Sequence, residues 1–350
     1  MSNTSLLGSF GGQAGESLMF RNHLINGCFR VWQRGTSQTS TGYESDDRWL
    51  NLNGGSTKTH SQQPFILGQT DVPGNPQFFS RTVVSSVVGA GNYTTKHQKV
   101  ESVRTLAGQT ATLSFWAKAD APKNMAVEFY QEFGNGGSPS AAVSGIGVTT
   151  IALTASWKYY TVTVNIPSIS GKTLGTNNDD NVQVIFWFDA GSTFNARTNS
   201  LGQQSGTFDI ANAMLEAGPT ATPFERRPIG TELALCQRYY WRESAGASSS
   251  YKAVVMPLTT TRVLGAPFCL PVSLRNSSNV GLTVAHSGVV LYNYALNSAV
   301  NVTNIVAFSG GANGTNITLD MTCNALGGTS QPYLLALSGG TGFIAISAEL

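Results

Sequence analysis

At 350 residues the chain is long enough for two domains, each with its own core. A formal net charge of +2 gives no electrostatic case for nucleic acid or an anionic membrane. Charged residues are only 11% while hydrophobic residues reach 41%, which excludes a disordered chain and leaves uncharged polar side chains to form much of the surface.

Residues 1–20 are glycine-rich and show little periodicity, as expected of an arm that orders against a partner. Phe10, Leu18 and Phe20 are its apolar anchors, since a purely solvated tail has little use for such side chains. No secretory signal pattern and no apolar run long enough to span a membrane is present, so no membrane insertion is expected.

From residue 21 to 228 the pattern is short alternating segments separated by Gly, Pro, Asn, Asp and Ser clusters, which predicts an antiparallel sandwich or jelly roll. The expected strands are LINGCFRVWQRG, DRWLNLN, FFSRTVVSS, ATLSFWAKAD, NMAVEFYQEF, KYYTVTVNI, NVQVIFWFDA and TFDIANAML. Alternation sets Leu113, Phe115 and Ala117, Met125, Val127 and Phe129, and Val182, Val184, Phe186 and Phe188 toward a common core. The opposite positions carry Trp116 and Lys118, Glu128 and Tyr130, and Gln183, Trp187 and Asp189. Aromatic rings among polar groups are what a sugar site requires, so these seven residues are the candidate glycan platform. The competing reading covers the same aromatics with a loop or a neighbouring subunit.

A joint follows. Gly218-Pro219 and Thr222-Pro223 cannot continue a central strand, and a short helix is expected over 229–243, with Thr231 as its N-cap. Ile229, Leu233, Cys236 and Tyr240, at spacings of four, three and four, form a coiled-coil-like seam and predict a homotrimer. A Ser/Gly linker then leads to a second β-rich unit at 250–350, expected to be a β-sandwich. Between 251 and 350 only Lys252, Arg262, Arg275, Asp320 and Glu349 are charged, which suggests burial against copies of the same chain. The fold class expected is therefore all-β: arm, jelly roll, connecting helix, C-terminal sandwich.

Several stretches resemble known families. ATLSFWAKAD, SWKYYTVTVNIP, NVQVIFWFDAG and FDIANAMLEAGPTATPFERRP resemble the carbohydrate-binding jelly-roll modules attached to xylanases and cellulases. NHLINGCFRVWQRGTS (22–37), DDRWLN (46–51), GTELALCQRYYWR (230–242) and GFIAISAEL (342–350) resemble bacteriophage tail-fibre or receptor-binding virion proteins. The resemblance implies a virion location on tail, baseplate or capsid, attachment to other virion proteins through residues 1–20, and binding of host cell-surface polysaccharide.

Catalytic and metal signals are sparse. Cys28, Cys236, Cys269 and Cys323 form no CxxC pair, and His23, His60, His97 and His286 have no metal-ligand spacing. No GxSxG elbow or P-loop occurs. Glu128 with Asp189, or Asp46 with Asp47, are the carboxylate pairs from which glycoside hydrolysis would have to be built. Asp179 and Asp180, within an Asn/Asp run, suit either a structural calcium ion or an ordinary turn. The expectation is a non-enzymatic virion adhesin without a cofactor. The alternatives are a purely structural virion component and a polysaccharide-degrading tailspike.

Overall fold

Strand alternation organises almost all of the regular structure. The computed structural model describes residues 20–248, 250–275, 283–293, 298–309, 316–327 and 332–350. The expected anchors Phe10 and Leu18 lie outside them. The chain divides into two units. The first holds the described residues up to Cys28, with Leu52–Lys58 and Gln63–Arg227. The second holds Phe29–Asn51, Thr59–Gln62 and Pro228–Leu350.

Residues 37–217 supply strands β1 (Ser37–Gln38), β2 (Leu50–Gly54), β3 (Thr57–Pro64), β4 (Phe78–Ser85), β5 (Tyr93–Glu101), β6 (Thr110–Ala119), β7 (Lys123–Glu132), β8 (Val143–Leu153), β9 (Lys158–Asn165), β10 (Asn181–Ala190) and β11 (Gly206–Ala217), with a short helix α1 (Asn195–Thr198) before β11. In the first unit they form two antiparallel sheets, ordered β3-β4-β11-β6-β9 and β2-β5-β10-β7-β8. The apolar sets expected from alternation on β6, β7 and β10 are all buried between these sheets. Phe115 meets Phe186 edge-on at 5.1 Å, and Phe188 meets Phe208 at 5.1 Å. The all-β class holds.

Residues 24–35, expected as a strand, form none. Asn26 takes a left-handed φ of 56°, and residues 22–28 lie along β11 instead. His23 N–H donates to Leu215 O at 2.8 Å, Ala213 N–H to Gly27 O at 2.9 Å, and Asn22 Nδ2 to Ala213 O at 3.1 Å. Gly27 is required there, because a Cβ would overlap the Ala213 carbonyl oxygen.

The second unit contains helix α2 (Ile229–Gln237) and strands β12 (Tyr240–Ser244), β13 (Ser250–Thr259), β14 (Arg262–Cys269), β15 (Thr283–Ser287), β16 (Val289–Asn293), β17 (Ser298–Ser309), β18 (Asn316–Cys323), β19 (Tyr333–Leu337) and β20 (Phe343–Ser347). β13-β14-β18-β17-β16-β19 close into a barrel, and β12-β20-β15 form a three-stranded sheet. This is more specific than the expected sandwich. Closure removes sheet edges, so the scarcity of charge there has an account within one chain.

The trimer seam is corrected by the same geometry. α2 starts at Ile229, two residues before the expected cap, and ends at Gln237, so Tyr240 is the first residue of β12. Ile229 is 45% exposed, but Cys236 and Tyr240 are buried inside their own unit. Four residues at helical spacing do not make a shared seam once the chain leaves the helix.

Residues 29–51, expected in the jelly roll, belong to the second unit because of buried charge. Arg34 Nη2 lies 3.0 Å from Glu349 Oε1, Arg34 Nη1 lies 3.2 Å from Asp47 Oδ1, and Arg48 pairs with Glu349 Oε2. Both guanidinium groups also lie over rings, Arg34 at 3.6 Å from the Tyr240 centroid and Arg48 at 3.4 Å from that of Tyr239. Desolvation pushes the Asp47 carboxyl up to about 7 despite Arg34 and a 2.6 Å hydrogen bond donated by Gln33. Burial likewise raises the Tyr43 phenol and the Cys236 thiol. Beside this cluster, His60 Nε2 lies 3.0 Å from Asp46 Oδ1, with both side chains fully buried. Asp46 and Asp47 therefore build structure and open onto no loop site.

Candidate functional site

The expected platform is not one surface, and Trp187 lies in a second buried cluster with Ala126, Ile185 and Ala190. Trp116 and Lys118 belong to β6, whereas Glu128 and Tyr130 belong to β7 and Gln183, Trp187 and Asp189 to β10. β6 is in one sheet and β7 and β10 are in the other. Alternation tells inside from outside and is silent about which sheet a strand joins. The seven residues fall on two opposite outer faces of the sandwich.

The β7/β10 face is a packing layer. Glu128 is fully buried and accepts hydrogen bonds from Trp187 Nε1 (2.9 Å), Gly145 N (2.7 Å), and Arg197 Nε and Nη2 (2.8 and 3.0 Å). The Arg197 guanidinium sits 5.1 Å from the Trp187 ring centre and 5.5 Å from that of Tyr130. Phe194, just before α1, packs 5.0 Å from Trp187, and Tyr93 lies 6.0 Å from it. Trp187 is thus sealed beneath the 191–204 segment and offers no surface to a sugar. Gln183 donates to Glu132 Oε2 at 3.0 Å, and its Oε1 lies 3.4 Å from His97 Nδ1. Burial pulls His97 down to about 3, so it is neutral at physiological pH. Desolvation also raises the Tyr130 phenol.

Asp189 is fully buried, accepting from Ser56 Oγ (2.6 Å), Ser86 Oγ (2.8 Å) and Gln204 N (2.8 Å). Neither carboxylate of the Glu128/Asp189 pair is open to a substrate. Asp179 accepts from Asn135 N and Nδ2, both at 2.7 Å, and Asp180 accepts from Val103 N at 2.8 Å. These contacts fit turn formation. Among the described residues no group of three or more His, Cys, Asp or Glu side chains is placed to hold a metal ion.

The other face carries an open cleft of about 670 Å³. Its floor is aromatic. Trp116 on β6 is paired with Tyr159 on β9, their ring centres 5.6 Å apart at 45°. Asn212 closes the floor on β11, at a bulge where pairing with β6 shifts between Ala211 and Met214. The bulge has a local cause. β4 pairs with β11 only through Ile210, and beyond it the 22–28 segment takes over that edge of β11. Asn212 accommodates the change with a left-handed φ of 47°, which Asn tolerates better than most residues. Its side chain is 5% exposed, and Oδ1 has no hydrogen-bond partner.

Pro73, Gly74, Pro223, Phe224 and Arg226 also line it, with Arg226 Nη2 close enough to Gly74 that a Cβ there would lie 3.6 Å away. The proline-punctuated stretch reads as a hinge in sequence but is pinned in place. Thr222 donates through N and Oγ1 to Glu216, at 2.8 and 2.6 Å, and Arg227 Nη1 donates to Leu24 O at 3.1 Å. Lys118 lies on the same outer face, 3.9 Å from Asp209, which also receives two 2.8 Å hydrogen bonds from Arg81.

Of the expected ligand residues only Trp116 lines this cleft. Tyr159, Asn212 and Arg226 escaped sequence reasoning. The alternation of KYYTVTVNI does place Tyr159 outward, but its pairing with Trp116 is a long-range fact. An Asn in the middle of an apolar strand was the available sign of a bulge.

No family model matches this sequence, and no curated protein matches it. Among solved structures, a CBM4 carbohydrate-binding module is similar at 16% identity and a TM-score of 0.32, over 55% of this chain and 98% of that one. A family 11 carbohydrate-binding module from Clostridium thermocellum is similar at 14% identity and a TM-score of 0.32, over 53% and 98%. The enzymatically active domain of tailspike protein 4 from bacteriophage CBA120 is similar at 12% identity and a TM-score of 0.33, over 57% of this chain and 22% of that one.

Proposed function

We propose that the protein is a non-enzymatic virion adhesin that binds a host surface glycan in the Trp116 cleft. The observation that carries the binding half is the paired Trp116 and Tyr159 rings in a cleft that Asn212 and Arg226 also line. A pyranose presents C–H groups that stack on such rings, and hydroxyls that need a fixed polar partner at the ring edge. Among the described residues no carboxylate lines the cleft, so glycosidic cleavage there would lack its acid and base. The virion half rests on the resemblance of residues 22–37, 46–51, 230–242 and 342–350 to fibre proteins. In this reading residues 1–20, with Phe10, Leu18 and Phe20, attach the chain to another virion protein. The homotrimer, no longer assigned to the helix, forms through the second unit, where β13 exposes Val254, Met256 and Leu258.

The test is a glycan array probed with the full chain and with Trp116→Ala. Binding by the parent that is lost in the variant, with an unchanged melting temperature, supports the adhesin. Absence of any glycan binding, with normal incorporation into particles, overturns it in favour of a structural component. Release of reducing ends overturns the non-enzymatic reading. Deletion of residues 2–20 is expected to leave a soluble, glycan-binding protein that no longer enters particles.

A further inference from the structure

The charge distribution around the cleft narrows the ligand, and the argument rests on the glycan reading above. Among the described residues Arg226 is the one charged residue lining the cleft. It is exposed and makes no ion pair among the described residues. The carboxylates nearest to it along the chain are already engaged. Glu216 accepts both hydrogen bonds of Thr222. Glu225 accepts from Phe20 N and, at 2.8 Å, from Asn22 N, with Arg227 3.6 Å away. On the same outer face Arg81 and Lys118 share a single carboxylate, Asp209, so that group also carries surplus positive charge. A cleft with one unpaired guanidinium, no anion and an aromatic floor is complementary to a sugar that brings its own negative charge.

We infer that the cleft binds an acidic polysaccharide through a uronate residue, whose ring stacks on Trp116 and Tyr159 and whose carboxylate is taken by Arg226. The planar guanidinium offers two parallel N–H donors that match a carboxylate, where an ammonium group would act as a point charge. Asn212, which also lines the cleft, supplies the second polar contact through its side-chain amide, offered to a ring hydroxyl. Ligand selection then divides cleanly. The aromatic pair provides sequence-tolerant affinity for pyranoses, and Arg226 separates acidic from neutral ones.

The experiment titrates the full chain, by calorimetry, with a set of uronate-containing polysaccharides of gluco, galacto and manno configuration, each paired with its carboxyl-reduced form. Sulfated and phosphorylated neutral glycans form a third arm. At least one uronate polymer is expected to bind on the order of tenfold or more tighter than its reduced partner, because hydrogen bonds to charged groups carry that much discrimination. The gap is expected to shrink as salt rises. Arg226→Gln should bring the acidic ligand down to the affinity of the neutral one and leave the neutral one unchanged. Arg226→Lys should recover only part of the gap, and Trp116→Ala should abolish both. Arg226 is exposed, so equal melting temperatures of its variants and the parent confirm that folding is not the cause. Equal binding of acidic and reduced polymers overturns the inference and leaves the glycan reading standing. Binding confined to the sulfated or phosphorylated arm overturns the carboxylate assignment. Binding to no member of the set overturns the glycan reading itself.

Discussion

Replacing Glu349 by Gln should destabilise the second unit far more than a change two residues from the end of a strand would suggest. The carboxylate serves two guanidinium groups, Arg34 at 3.0 Å and Arg48, and Arg48 is only 1% exposed. Breaking a buried ion pair by removing one partner costs about 3–5 kcal/mol, because the remaining charge stays desolvated. One compensation exists. Glu349 is among the charges that hold the Asp47 carboxyl up, so removing it lets Asp47 ionise more readily beside Arg34. That places the expected cost near the lower end, about 3 kcal/mol. For a unit of roughly 150 residues each kcal/mol moves the melting temperature by about 2–4 °C, which gives a drop of about 6–12 °C. Calorimetry of Glu349→Gln reads this directly. Adding Arg48→Met should recover part of the loss, since it removes the stranded cation. A transition within about 1 °C of the parent, or a double variant whose losses simply add, would refute the reasoning.

The two units should respond to pH in opposite senses. His97, held near 3 against 6.5 unfolded, contributes stability to the first unit that is present above about pH 6.5 and lost as pH falls toward 3; His97→Gln should flatten that slope in urea titrations. Asp47, raised from 3.8 to about 7, contributes stability to the second unit that is present below about pH 4 and lost as pH rises through 7, and Asp47→Asn should remove this contribution. Gly27→Ala drives a methyl group into the Ala213 carbonyl and should lower first-unit stability by about 2–3 kcal/mol, read from the denaturant midpoint; an unchanged midpoint would show that the 22–28 segment is not pinned to β11. Val254→Lys with Met256→Lys should convert an oligomer to a monomer in sedimentation, and an unaltered oligomer would exclude β13 from the interface.

How far the sequence could be read depended on whether the information was local. The inward positions of β6, β7 and β10 were legible because the period of two survives in each segment. β3 and β5 were missed because TKTHSQQP and YTTKHQKVE carry no apolar alternation. Thr94, Lys96 and Gln98 of β5 are nevertheless buried, and Gln98 manages it by exchanging hydrogen bonds with the Ile25 backbone, 73 residues away. The same limit governs the site. Trp116 was legible from its own strand, but its neighbour Tyr159 required the β6–β9 pairing, and the false partner Trp187 arose from treating the outward positions of β6, β7 and β10 as one surface when β6 lies in the other sheet. Arg34 and Arg48 gave no sign in the sequence, and Asp47 read as half of a carboxylate pair, because the partners of this cluster lie up to 315 positions apart.

The stretches that resemble fibre proteins and the stretch that forms the cleft are different parts of the chain, and the structure gives them different work. Arg34, Asp47, Arg48, Tyr239, Tyr240 and Glu349 come from four separated motifs and meet in one buried ionic cluster. A likeness in those motifs therefore speaks to how the second unit is held together, and carries nothing about a ligand. The cleft is made from Trp116, Tyr159, Asn212 and Arg226, of which Tyr159 and Arg226 are exposed and Asn212 sits at a bulge. Exposed side chains on a pinned backbone can change with small effect on stability, since surface substitutions usually stay within about 0.5 kcal/mol. If the cleft binds as proposed, ligand choice is thus free to vary at Tyr159 and Arg226 while the buried cluster stays fixed.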